Sequence, residues 1–163
     1  YGHVGGGRAL IDGFAEAFGE AFDASIATVT NVIESDEFEL AGVHLRIVRN
    51  AEAFDLELPD LNVAYTHMLG HDCHSIVAGA GHADALIAQL EGYLDRGFDL
   101  VLTSHYTPED LKDVQAKIDY LRELKDVAAV CASAEEFKEA VRKRNPGYAG
   151  DNYLEMTSGF FFA

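Results

Sequence analysis

The sequence predicts a mixed α/β fold, with two sheets packed as a sandwich and helices on the outer faces. Three observations predict it. Short runs rich in β-branched and aromatic residues, separated by turn residues, fill residues 25–66. After Leu61, strand-like and helix-like segments alternate. The apolar and charged shares, 48% and 25%, are those of a chain that buries an ordinary core.

Gly5-Gly6-Gly7 opens a helical pattern in which Leu10, Phe14 and Phe18 recur every four residues on one face. These glycines could form an anion-binding nest, but no Lys-Ser/Thr pair follows them, and a tight turn is the better reading. Residues 25–33 (SIATVTNVI) are rich in β-branched side chains and predict a strand. Further short strands are expected over 37–40, 43–48 and 54–58. Pro59-Asp60 supplies a turn before a strand over 61–66.

Leu86, Ile87, Leu90, Tyr93 and Leu94 share one face of a helix, and residues 99–103 (DLVLT) form a short buried strand. Thr107-Pro108-Glu109-Asp110 has the make-up of a helix start, with Thr as cap, Pro in the first turn and acids favoured by the dipole. Leu111, Val114, Ile118 and Leu121 give that helix its buried stripe. Residues 126–130 are a strand candidate. Ser133 to Glu136 makes a capping box for a last helix carrying Phe137 and Val141. The aromatic tail over 148–162 is expected to pack down.

With 163 residues, no repeats, no low-complexity segment and no Pro/Ser-rich linker, the expectation is a single domain over residues 1–163. The net charge of −16, from 28 acidic and 12 basic residues, opposes nucleic-acid binding, which needs cationic side chains at the phosphates. The acids are spread along the chain and serve solubility, in a salty setting included; an acidic shell that gathers metal cations is the second reading. No apolar run reaches the length of about 18 residues that a membrane span requires. No signal-peptide pattern is visible, so a cytoplasmic location is expected. The chain opens at Tyr1 without an initiator Met, as a processed, trimmed or cut piece of something longer would.

Two cysteines are too few for a disulfide framework. Cys131 ends an apolar run and is expected to be buried. Cys73 could be a zinc thiolate or a nucleophile, but no second Cys stands at ligand spacing, and a buried structural thiol is the favoured reading.

His67, His71 and His74 lie within eight residues, in HMLGHDCH, directly after a strand. Side chains at a strand end are held by a rigid scaffold and face solvent. Imidazole is the commonest neutral ligand for zinc, and Asp72 could add a carboxylate. His105, in LTSHY, follows the next core strand, the same topological place one unit later. A lone His at a strand end is more often a hydrogen-bonded structural residue. Three beside an Asp favour a site. His44, within a strand, and His82, at a helix start, are expected to be structural.

These residues resemble the metallo-β-lactamase superfamily. YGHVGGGRAL is similar to the end of its His-x-His-x-Asp-His motif and the Gly-Gly and helix that follow. His3 matches the last histidine, and Gly2 falls where the family has its aspartate. The second half is most similar to the alkylsulfatase-type branch. In that branch a strand ends in an acidic ligand followed by His-Asn-x-His; here His67 takes the acidic position and His71-Asp72-Cys73-His74 the segment. Ser104-His105 matches the family's final metal histidine. Asn50-Ala51-Glu52-Ala53 resembles its Glu-Ala segment, with Asn50 or Phe54 where the middle histidine ligand is sought.

The resemblance implies a metallo-β-lactamase-like αββα sandwich, N-terminally incomplete, with the first strands and two metal ligands lying before Tyr1. It implies a metal-dependent hydrolase in which metal-activated water attacks an ester, sulfate or amide-type small-molecule substrate. His3, His67 and His105 would be the metal ligands, for zinc or another divalent metal, and His71, Asp72 and His74 the catalytic group. Replacing the bridging acid with His67 removes a negative charge and favours a single metal, weakly held. The alternative is a non-catalytic relative or fragment of that fold with a binding or assembly role. A truncated sandwich exposes an apolar sheet edge, so a homodimer is also expected.

Overall fold

A computed structural model describes residues 5–25, 28–49, 54–67 and 69–163, with the backbone alone at 5–7, 9 and 10. The chain divides into two compact units, one ending at Glu34 and the other running from Ser35 to Ala163. His3, Asn50, Ala51, Glu52 and Ala53 lie outside the described residues.

In the first unit, helix α1 (Gly5–Phe18) includes the three glycines expected to form a tight turn, whose backbone is its first turn, and ends in a short 3-10 turn, Gly19–Ala21. The Phe14 ring stands 5.9 Å from Phe18 and 5.6 Å from Phe22. The strand expected over 25–33 is absent from its described part, residues 25 and 28–33, where Val29, Val32 and Ile33 are exposed. A β-branched run becomes a strand only where it can pair and pack on a pleated surface, and no described strand pairs with it.

The second unit is built on one five-stranded sheet in sequence order: β1 (Glu37–Leu40), β2 (Val43–Arg49), β3 (Phe54–Leu58), β4 (Val63–Thr66) and β5 (Leu100–Thr103). The first three pairings are antiparallel and β4–β5 is parallel. Ala41 and Gly42, at φ 52° and 79°, form a two-residue turn of the type that matches the twist of an antiparallel hairpin. A 3-10 turn, Pro59–Leu61, joins β3 to β4. The second sheet of the expected sandwich is not among the described residues.

A parallel pair needs a crossover, and α2 (Ala80–Arg96) supplies it, burying Ala83, Ile87, Leu90 and Tyr93. Helix α3 (Leu111–Ala128) packs beside α2 and buries Val114, Ile118, Leu121, Leu124 and Val127. That stripe overturns the expected strand over 126–130: the short apolar run is the last turn of α3, which keeps the helical period to its end. The helix start also shifts. Asp110, not Thr107, is the cap; its carboxylate accepts from the amides of Lys112 and Asp113, while Asp113 accepts from the Asp110 amide.

Helix α4 (Ala134–Arg144) is capped by Ser133 as expected, though the Glu136 carboxylate reaches back to the Ala132 amide instead of Ser133. It is not the last helix. The aromatic tail forms α5 (Asp151–Phe161), whose Leu154, Thr157 and Ser158 are buried. Phe161 and Phe162 pack their rings 5.6 and 5.7 Å from that of Phe137. Cys131 is half-buried rather than buried. None of the described helices is long and apolar enough to cross a membrane.

One face of the sheet is closed by α2 and is partly polar. Asp55 on β3 is buried, and one of its oxygens accepts from Tyr93 at 2.5 Å and Gln89 at 2.6 Å, both on α2. Glu57 is buried between Arg46 and Arg96. The register places Ile47, Leu56, Tyr65 and Leu102 in line on the opposite face, all of them half-buried. Beyond β5, Val101 exchanges both backbone hydrogen bonds with Glu109, at 2.8 and 2.9 Å.

Candidate functional site: paired strand-end loops

Strands β4 and β5 run parallel, so their C-terminal ends open at the same edge of the sheet, and the loops over 67–75 and 104–110 leave together. The Ser104 amide donates to the His67 carbonyl at 3.2 Å, and Tyr65 hydrogen-bonds to the Ser104 hydroxyl. This pinning brings His67 and His105 together. Their rings are exposed, 4.8 Å apart centre to centre and 77° from coplanar. Two imidazoles on one metal ion place their ring centres about 4.5–5.2 Å apart, and the separation of this pair falls in that range. Of the three residues expected as metal ligands, the described structure brings these two together, and His3 lies outside the described residues.

The second expected group divides. His71 is half-exposed, and its Nδ1 lies 2.8 Å from the Glu109 carboxylate and 3.4 Å from Asp113. Glu109, buried, also accepts from the amides of Gly70 at 3.0 Å and His71 at 2.8 Å. The hydrogen bond to Glu109 raises the His71 pKa above the ordinary imidazole value, the charges of Asp113 and Asp72 adding to it against the opposing effect of burial. Asp72 itself is exposed.

His74 turns into the core. Its Nδ1 meets the Tyr120 hydroxyl at 2.9 Å, its ring packs on Tyr120 and Tyr148, and its amide donates to Ala149. Burial lowers its pKa, so the neutral ring is favoured. Its place among these partners is that of a structural anchor.

Cys73 is buried, as the sequence implied, and its sulfur accepts from the Tyr106 hydroxyl at 2.8 Å. Below it Lys117, buried on α3, donates to the Cys73 carbonyl at 2.5 Å and to the Ser75 hydroxyl at 3.0 Å. Burial pushes its pKa down to about 8.

Two backbone approaches lock the loop. A Cβ on Gly70 (φ +68°) would lie 2.8 Å from the Tyr106 ring, and one on Gly150 (φ +81°) 2.8 Å from the Cys73 sulfur.

Glu109, Asp113, Tyr106 and Lys117 escaped the sequence reading as partners of the histidine segment. Glu109 stands 38 residues from His71 and read as a helix-dipole acid. Its true position is set by the bridge to Val101, which spacing alone does not reveal.

No protein-family model matches the sequence, and no curated protein matches it. Solved structures do. The structure of the stereoselective inverting sec-alkylsulfatase Pisa1 from Pseudomonas sp. matches with a TM-score of 0.55 at 18% identity, covering 78% of this chain and 25% of that one. A double mutant of the sec-alkylsulfatase PisA1 matches at 0.49 and 19% identity, covering 78% and 26%. The chain thus spans about a quarter of the length of these enzymes. At such identity the likeness to the first establishes the fold alone: the chain is built on the metallo-β-lactamase-type α/β fold of an alkylsulfatase.

Proposed function

We propose that the chain is a metal-dependent hydrolase of this fold, in which His67 and His105 hold one divalent metal, zinc foremost, against a small ester, sulfate or amide-type substrate. The observation that carries the reading is the convergence of these two rings, 4.8 Å apart, at the ends of neighbouring parallel strands. A metal there would supply activation of water and stabilisation of developing negative charge. The chain's own residues keep the two rings in place. The Ser104 amide and the Tyr65 hydroxyl fix the separation of the strand ends. His74 and Lys117 hold the first loop to α3 from beneath.

Zinc titration of the chelator-treated chain, followed by the imidazole Cε1–H signals in NMR, tests the metal site. The His67 and His105 signals are expected to shift together, and His105→Ala to abolish the response of His67. Hydrolysis of p-nitrophenyl acetate and p-nitrophenyl sulfate by the loaded chain, compared with His105→Ala, then tests turnover. The reading fails if neither ring responds to zinc, or if turnover is indifferent to His105.

A further inference from the structure

The geometry points to a second divalent-cation site, formed by His71, Glu109 and Asp113 and independent of the His67–His105 pair. The three ligand atoms all lie within 4.8 Å of one another. His71 Nδ1 stands 2.8 Å from Glu109 Oε1 and 3.4 Å from Asp113 Oδ1. Ligands held at about 2.1 Å from one ion, at angles between a right angle and the tetrahedral value, stand about 3.0–3.4 Å apart. The two spacings to His71 are therefore close to those of a shared coordination shell, and the Glu109 and Asp113 oxygens, within 4.8 Å of each other, would draw together on an ion.

The orientation of each carboxylate supports the same conclusion. Asp113 spends Oδ2 on the Asp110 amide and turns Oδ1 to His71. Glu109 spends Oε2 on the Gly70 amide, and its Oε1 accepts from the His71 amide while facing the His71 ring. Each carboxylate is thus held by backbone amides, the outer-shell support that orients metal-binding side chains. The site lies at the start of α3, whose dipole places about half a positive charge there. The two carboxylates outweigh it, and the amides of Lys112 and Asp113 are already engaged by Asp110. Mixed imidazole and carboxylate donors suit zinc or manganese.

A proton on Nδ1 would bridge the same atoms in place of a metal, and calorimetry decides between the two occupants. Zinc and manganese are titrated separately into the His67→Ala/His105→Ala double variant, whose substitutions fall on exposed rings and remove the strand-end pair. One equivalent of either metal is expected to bind. Adding Asp113→Asn, which keeps an oxygen for the helix cap, should weaken binding by at least about tenfold, and His71→Ala should remove it. No binding of either metal to the double variant, or binding unchanged by both further substitutions, overturns the proposal. The strand-end site is read separately in the His71→Ala chain from its His67 and His105 signals, so the failure of one site does not imitate failure of the other.

Discussion

At the scale of single residues, the loop over 67–75 is anchored by buried groups that titrate. Lys117 offers its ammonium to the Cys73 carbonyl and the Ser75 hydroxyl and lies over the Tyr120 ring, 4.8 Å from its centre. Those contacts do not compensate for the water it has lost, so its pKa falls from 10.5 to about 8. A group with a lowered folded pKa binds fewer protons folded than unfolded between the two values, and stability rises with pH across that window. The neutral form of Lys117 is therefore favoured in the folded chain from pH 8 upward, and denaturant unfolding should show stability climbing between pH 8 and about 9.5, below the range in which tyrosines ionise on unfolding. Lys117→Met should flatten the climb. A profile with the same slope in the wild-type and substituted chains would refute the account. His74 works in the same direction at lower pH: its lowered pKa means its contribution is present above 6.5 and fades as pH falls through the folded value.

At the scale of elements, the two strand-end loops behave as one part, because contacts between them recur along their length. The Ser104 amide bonds to the His67 carbonyl, the Tyr106 ring covers Gly70, and Glu109 holds the amides of Gly70 and His71. Gly70→Ala strikes this part twice, since φ is +68° and the new Cβ meets the Tyr106 ring at 2.8 Å. The cost should exceed about 1 kcal/mol, and the His71–Glu109 contact should loosen with it. Unfolding midpoints, together with the His71 pKa followed by NMR, measure both; an unchanged His71 pKa would show that the loops are not coupled. The same part marks where sequence reasoning stops. Strands β1 and β3 were legible to the residue because their alternation is bounded by turns, and His67 and His105 were legible as a pair because each lies within two residues of a strand end. The Glu109–His71 contact was not legible, since it depends on the backbone bridge of Glu109 to Val101. The runs over 28–33 and 126–130 show the same limit: short apolar stretches fit a strand or a helix until a pairing partner or a helical stripe decides between them.

At the scale of the whole molecule, the sheet has two unequal faces and one open edge. Helix α2 closes the face that carries Asp55 and Glu57. On the other face, the register aligns Phe38 with Leu45 and Leu40 with Val43. Residue exposure there reaches 65% at Leu40 and 51% at Phe54. Beyond β5 the edge is covered by the Glu109 bridge, whereas β1 has no partner on its outer side among the described strands. An edge of that kind invites pairing, and apolar burial is worth roughly 25 cal/mol per Å². The opposing force is charge, at −16 per chain, but its reach shrinks from about 30 Å at 0.01 M salt to about 3 Å at 1 M. Salt screens the repulsion and leaves the apolar attraction intact. Self-association through β1 should therefore be weak at low ionic strength and grow with added sodium chloride, the reverse of an assembly held by opposite charges. Sedimentation velocity at several protein concentrations, in 0.02 M and 0.5 M salt, measures it, with Leu40→Lys placing a charge on the exposed edge as the control. A chain that stays monomeric at high salt, or a Leu40→Lys chain that associates as strongly as wild type, would rule out this surface as the contact.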